Sequence, residues 1–373
     1  MATTCTLCGL NAVMDPTKSN VQIGLEYNVA ETSVRRHKAH TSPANVQLFE
    51  DVPDEVVTAR GRTVRLADGS YEKITWKPNA MALHQTLQYD DLAKSLEGFA
   101  PEVYAGKGSG YTDILNAADL QIGKANQRGG GTPETLARAR SSVQKFAYRL
   151  ERDRPSAAIL VDNGDPIENC FNVPAQLVTN DLDVPAQIRT FRRLMIEAIK
   201  TLAPLVPVLY YVSVPSNHGA HRTGYKAPGG TTDADFGLEI SHQIEDAIAE
   251  NPLLRDRVKF IRPNALYETA VISVSETKVA FTHGHNSSAE KTHGLWWAKQ
   301  DHGRMPGWDA DLLVTAHYHT MGLEQSGDGR WIIKTASSDP GSDWFTNRTG
   351  ESALSGMTAF KVNQGQWSDL ELL

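Results

Sequence analysis

This chain is predicted to adopt an α/β fold, and three observations predict it. Short apolar runs of strand length recur along the chain, and amphipathic helical stretches separate several of them. Five of the runs end directly in Asp, Asn, Gln or His. A continuous apolar run fits a strand buried on both faces. In layered α/β folds the reactive groups collect where several strands end.

The elements divide the 373 residues into three parts, 1–42, 43–110 and 111–373. In the first, Cys5 and Cys8 stand as C-x-x-C, and a first helix is expected around Val21–Tyr27. Ser33 to His40 reads as a second short helix capped by Thr32, with His37 and His40 three apart on one face. Two thiolates and two imidazoles complete a tetrahedral zinc site. A unit of about 40 residues rarely holds a fold without such a staple. The whole resembles the zinc-stapled helix-turn-helix modules of some bacterial and phage proteins. The plainer alternative is a basic tail in which these residues are incidental.

The second part is a linker with one hairpin. Thr63–Trp76 alternates on either side of Asp68-Gly69, the signature of two strands and a tight turn. Gly106–Gly110 (GKGSG) lacks the spacing of a phosphate-binding loop.

From Tyr111 strands and helices alternate. Thr132 is expected to cap a helix with Pro133 at its first position, burying Leu136, Val143, Phe146 and Leu150 and stopping at Pro155. A second helix buries Ile188, Phe191, Met195, Ala198 and Leu202 at helical spacing. Trp331–Ser337 reads as a late strand.

The ligand-bearing runs carry the chemistry. They are TDILNAADLQ with Asp119 and Gln121, AILVDNGDPIE with Asp165 and Glu168, VLYYVSVPSNH with Asn217 and His218, KVAFTHGH with His283 and His285, and DLLVTAHYH with His317 and His319. If the last strand continues, its two histidines share a side and suit chelation. This mixture of carboxylates, amides and imidazoles suits two hard divalent cations that share a carboxylate. Each residue alone has a structural alternative: an Asp after a strand is often a turn former or helix cap.

The order of these motifs resembles that of the calcineurin-like metallophosphoesterases, a family that includes the SbcCD-type DNA repair exonucleases. The matching residues are Asp119-Leu120-Gln121, Gly164-Asp165-Pro166-Ile167-Glu168, Ser216-Asn217-His218, Thr282-His283-Gly284-His285 and Ala316-His317-Tyr318-His319. The resemblance spans roughly residues 111–340. It implies a two-sheet β-sandwich flanked by helices and a pair of divalent cations bridged by Asp165. One cation is then held by Asp119, Asp165, His319 and Gln121, the other by Asp165, Asn217, His283 and His317. The cations lower the pKa of a bridging water that attacks phosphorus in line, and His218 contacts the phosphate or protonates the leaving oxygen. Glu168, His285 and Arg222 fall to supporting or substrate-contacting roles.

Three departures from the family pattern stand out. Gln121 replaces a usual His, offering an amide oxygen that favours Mn²⁺ or Mg²⁺ over Zn²⁺. Gly219 replaces an acidic residue after the motif histidine, and Ser216 and Ala316 replace glycines.

The composition bounds the function. A formal net charge of −7 gives no global attraction to nucleic acid or anionic membrane, so any DNA contact must be local, for example at Arg35-Arg36-His37-Lys38. The start lacks signal-peptide features, and the longest apolar stretch, Leu202–Val214, is too short to span a bilayer. Three cysteines form no disulfide framework, which points to a reducing, cytoplasmic setting. No G-x-S-x-G elbow appears, which argues against a serine hydrolase. The expectation is a two-metal DNA nuclease, with a phage origin suggested by the N-terminal resemblance and any homodimer or ATPase partner left open. Hydrolysis of nucleotides or phosphoproteins is the alternative, and an inactive DNA-binding relative is a further one.

Overall fold

The structure, a computed structural model, describes residues 23, 25–29, 34, 60–65, 71–76, 96–125, 130–171, 179–222, 232–327, 329–339, 341 and 354–373. Contacts divide the chain into two units, Met1–Gln85 and Thr86–Leu373. In the first, Ile23, Leu25 and Glu26 are helical, as is Val34. Ile23 and Val34 are buried together with Tyr27 and Val29 packed against them. Strands β1 (Arg60–Arg65) and β2 (Tyr71–Trp76) pair antiparallel, Arg65 opposite Tyr71. This is the expected hairpin. Its Asp68-Gly69 turn and the zinc candidates Cys5, Cys8, His37 and His40 lie outside the described residues.

The second unit is a sandwich of two sheets. The six-stranded sheet runs in the order β13 (Gln366–Leu372), β12 (Thr358–Asn363), β3 (Ser109–Asn116), β4 (Pro155–Asp162), β5 (Leu209–Ser213), β6 (Val258–Ile261). Strands β3 to β6 are mutually parallel. The five-stranded sheet runs β10 (Gly322–Ser326), β11 (Arg330–Lys334), β9 (Leu312–Thr315), β8 (Thr277–Phe281), β7 (Ala270–Val274), with β8 and β9 parallel. Between the sheets lie Ile114, Ile159, Val161 and Val212 from one side and Val279, Phe281, Leu312 and Val314 from the other. Phe281 is fully buried there, and truncating such a ring to Ala typically costs about 3–5 kcal/mol.

Helices cover the outer faces. Helix α1 (Thr132–Asp153), α2 (Val184–Leu202) and α3 (Phe236–Ala249) lay Phe146, Phe191, Met195 and Ile240 against Leu115, Leu160 and Tyr211 of the six-stranded sheet. The short α4 (Pro252–Arg257) leads into β6. Helix α5 (His293–Gly303) puts Trp297 against Ala280, Leu313 and Ile332 of the other sheet.

Helix α1 differs from expectation at its start. Gly131 is the cap residue, and Thr132 is already helical. The Thr132 hydroxyl instead accepts from the Gly123 amide and donates to Asp181. The C-terminal end is as read: Arg154 turns left-handed at φ 51° and Pro155 opens β4. Among the described residues no helix is long and apolar enough to cross a membrane.

Candidate metal centre

Parallel pairing places the carboxyl ends of β3, β4 and β5 side by side, and does the same for β8 and β9 in the facing sheet. Asp119, Asp165, Asn217, His283 and His317 each follow one of these ends. The loops after β3 and β4 stay hydrogen-bonded to each other beyond the strands. The amides of Asp119, Gln121 and Ile122 donate to the carbonyls of Gly164, Asp165 and Pro166 at 2.9–3.1 Å.

Five of the motif residues carry left-handed backbone: Asp119 (φ 49°), Gln121 (42°), Asp165 (51°), His317 (71°) and His319 (58°). Such conformations cost non-glycine residues roughly 1–3 kcal/mol each and persist where surrounding contacts over-determine them. They also decide how the histidine pair works. Strand β9 ends at Thr315, so His317 and His319 do not share a pleated face as expected. Two left-handed turns in the following loop bring them in instead. Gly164 has no room for a side chain, because a Cβ there would press on the His283 ring at 2.6 Å and on Ser216 at 2.7 Å.

At the centre, Asp165, His283 and His317 bring one ligand atom each to within 4.8 Å of one another. His283 Nε2 lies 2.9 Å from Asn217 Oδ1 and 3.3 Å from Asp165 Oδ2, and its Nδ1 is fixed by the Asn163 carbonyl at 2.9 Å. On the other side, Asp119 Oδ2 accepts from the His317 amide, while Asp119 Oδ1 is 3.3 Å from His319 Nε2. That Oδ1 is buried and accepts no well-formed hydrogen bond. Buried carboxylates, an amide oxygen and imidazoles converging in this way fit a divalent cation.

Charges in the site are coupled. Burial opposes ionisation of Asp165, yet His283 and His218 hold its carboxyl well below the usual range. Burial also disfavours the charged His283 ring, but the Asp165 carboxylate outweighs it and raises the pKa to about 9. His317 is pushed down to about 4, first by burial and then by the adjacent His283. It therefore keeps a free lone pair at neutral pH. His285 is not one of the three close ligands, but its ring lies beside His283, its Nε2 is 3.5 Å from Glu268, and its pKa is pushed down to about 3 by burial and His283.

His218 is held by Asp165 and Glu168. Its amide donates to Asp165 Oδ1 at 2.9 Å, and its Nδ1 meets the Glu168 carbonyl at 3.1 Å and Glu168 Oε2 at 3.2 Å. Burial lowers its pKa, but Asp165 and Glu168 together raise it to about 9. Glu168 thus meets the His218 ring with both its carbonyl and its carboxylate. Gly219 has no side chain because the Asp235 carboxylate fills that space. Asp235 caps α3 and accepts from the Ser216 amide. The departure at Ser216 also has a role: its hydroxyl accepts from the Asp165 amide at 2.8 Å. Arg222 donates to the Asn217 carbonyl.

Gln121 turns its amide oxygen to Lys124, whose Nζ lies 2.6 Å away and also 2.5 Å from Asp339 Oδ2. Asp339, Asn163 and Asp235 went unrecognised in the sequence. Only the short polar run around Ser337-Ser338-Asp339 after β11 hinted at the first.

No family model matches this chain, and neither does any curated protein. Among solved structures the chain is similar to Vps29 from Entamoeba histolytica complexed with zinc. The two are 13% identical over 68% of this chain and 88% of that one, at a TM-score of 0.31. A purple acid phosphatase from yellow lupin seeds is 13% identical over 72% of this chain and 37% of that one, at 0.28. The 5′-nucleotidase precursor of Thermus thermophilus is 10% identical over 70% of this chain and 53% of that one, at 0.29. Likenesses this distant carry no argument about activity.

Proposed function

We propose that this chain is a divalent-metal-dependent phosphoesterase of the calcineurin-like kind that cleaves phosphodiesters in DNA. One observation carries the reading: Asp165, His283 and His317, from three distant segments, bring ligand atoms within 4.8 Å of one another at the ends of strands from both sheets. Asn217 and Asp119 border them directly, and His319 lies against Asp119. Asp165, Asn217, His283 and His317 would hold a cation, and such an ion supplies Lewis-acid polarisation of a phosphoryl group and of water.

The protein's own residues do the rest. Ser216 and the His218 amide orient the two ends of Asp165. Glu168 clamps one side of the His218 ring, leaving Nε2 on the Asp165 side, 3.9 Å from Oδ2. Without a cation, Asp165 and Glu168 raise that ring's pKa to about 9. With a cation on Asp165, Glu168 at Nδ1 would be the group that favours a proton at Nε2 for a phosphoryl or leaving oxygen. DNA is favoured as substrate by the basic run Arg35-Arg36-His37-Lys38, a local charge cluster in an otherwise acidic chain.

The test is hydrolysis of bis-p-nitrophenyl phosphate with Mn²⁺ or Mg²⁺, followed by digestion of linear duplex and single-stranded DNA. Turnover of the small diester without DNA cleavage would redirect the reading to nucleotides or phosphoproteins. No turnover with any of Mn²⁺, Mg²⁺ and Zn²⁺ would sink it.

A further inference from the structure

Lys124 follows Gln121 by three residues, in the loop after β3. Its side chain is only 14% exposed, and its ammonium bridges Gln121 Oε1 at 2.6 Å and Asp339 Oδ2 at 2.5 Å. Asp339 is itself buried, and its Oδ2 lies 3.8 Å from His319 Nδ1, whose other ring nitrogen faces Asp119. A positive charge therefore sits against Gln121, one of the residues that the family pattern assigns to one of two cations, and against Asp339, which neighbours a second, His319. The opposite side of the site differs. Asp165, His283 and His317 form a compact three-ligand group, and among the described residues no second group of three acidic, His or Cys ligands meets as closely.

We propose that Lys124 is a resident cation of this site, whose ammonium takes the charge role of one divalent ion, so that the chain firmly holds a single divalent cation at Asp165, Asn217, His283 and His317. The proposal rests on the metal-dependent reading above and refines it. Two features of the sequence then become one. Gln121 presents a neutral oxygen acceptor that an ammonium can use, where the usual histidine would offer a nitrogen better suited to a metal. Asp339 supplies the buried negative partner that holds the Lys124 side chain in place. A divalent ion brought against that ammonium would meet direct repulsion in a poorly solvated site.

The experiment counts ions instead of turnover. Full-length protein stripped with chelator is titrated with Mn²⁺ by calorimetry, and manganese per chain is measured by elemental analysis after gel filtration. Wild type and Lys124→Arg should each retain one Mn²⁺. The Lys124→Met/Gln121→His variant, which loses the charge and gains a nitrogen ligand, should retain two. Lys124→Met alone should show a second, weaker event, and circular dichroism confirms that each variant is folded. Two Mn²⁺ of similar affinity in the wild type would overturn the proposal, as would a folded double variant that still holds one. A wild type that binds no divalent ion would instead defeat the metal-dependent reading itself, a failure of a different kind.

Discussion

Arg149 on α1 holds Asp113 of β3 in a two-pronged pair, Nε to Oδ2 and Nη2 to Oδ1, each at 2.8 Å. Asp113 is fully buried and Arg149 is 4% exposed. Arg149 Nη1 also donates to the Asp369 carbonyl of β13, so the pair ties helix α1 to two strands of the sheet whose β3 leads to Asp119. Burial outweighs the guanidinium here, raising the Asp113 pKa to about 6. Arg149→Met would leave that carboxyl buried without its partner, at a cost of about 3–5 kcal/mol near pH 8. At roughly 2–3 °C per kcal/mol for a domain this large, Tm should fall by about 6–15 °C. Replacing both partners, as Asp113→Val with Arg149→Met, removes the desolvation along with the pair and should bring Tm to within a few degrees of wild type. The pH dependence has a definite sign. A carboxyl whose folded pKa is raised contributes stability that is complete below its unfolded value near 4 and is lost as pH rises through about 6. This part of the wild-type stability should therefore decline between pH 4 and 7, and the double replacement should flatten that decline. Calorimetric melts at pH 5, 6 and 8 provide the measurement. A double variant as unstable as the single one would refute the reasoning, since the loss would then not come from an unpaired buried charge.

Three further outcomes follow from the site. Asp165→Asn should reduce hydrolysis of bis-p-nitrophenyl phosphate below a tenth of wild type with the fold intact by circular dichroism, because it removes the charge facing His283 and His218; higher turnover with undiminished metal content would remove Asp165 from its central role. His218→Ala should lower kcat by ~10²–10⁴-fold while bound manganese is retained, the range typical of general acid–base help; metal lost in step with activity would make His218 a ligand. Binding of Mn²⁺ should release protons between pH 7 and 9, since the His283 ring, raised to about 9, must deprotonate to bind, and affinity should weaken as pH falls through that window. Calorimetry in buffers of differing ionisation enthalpy reads the protons directly, and a pH-independent affinity would show that His283 does not ligate.

The strands were legible because a buried strand is a local pattern. The runs before Asp119, Asp165, Asn217, His283 and His317 supply most of the apolar residues that the two sheets enclose, and each is a strand in the structure. Of the motif residues, Asp165, His283 and His317 bring ligand atoms within 4.8 Å of one another. Helix termini were legible to within a residue, Gly131 taking the cap expected at Thr132.

What only the tertiary structure decided were the pairings between side chains far apart in sequence. Lys124 meets Asp339 across 215 positions, and Glu168 meets His218 across 50. Asp235 takes the space beside Gly219 that an acidic side chain would need. His317 and His319 enter the site through left-handed turns and not through strand alternation, because β9 ends before them. Hydrophobic periodicity reports which face of an element is buried, and it was readable residue by residue. The partner of a charged group is set by where the loops of two sheets converge, and no local pattern in the chain encodes that distance.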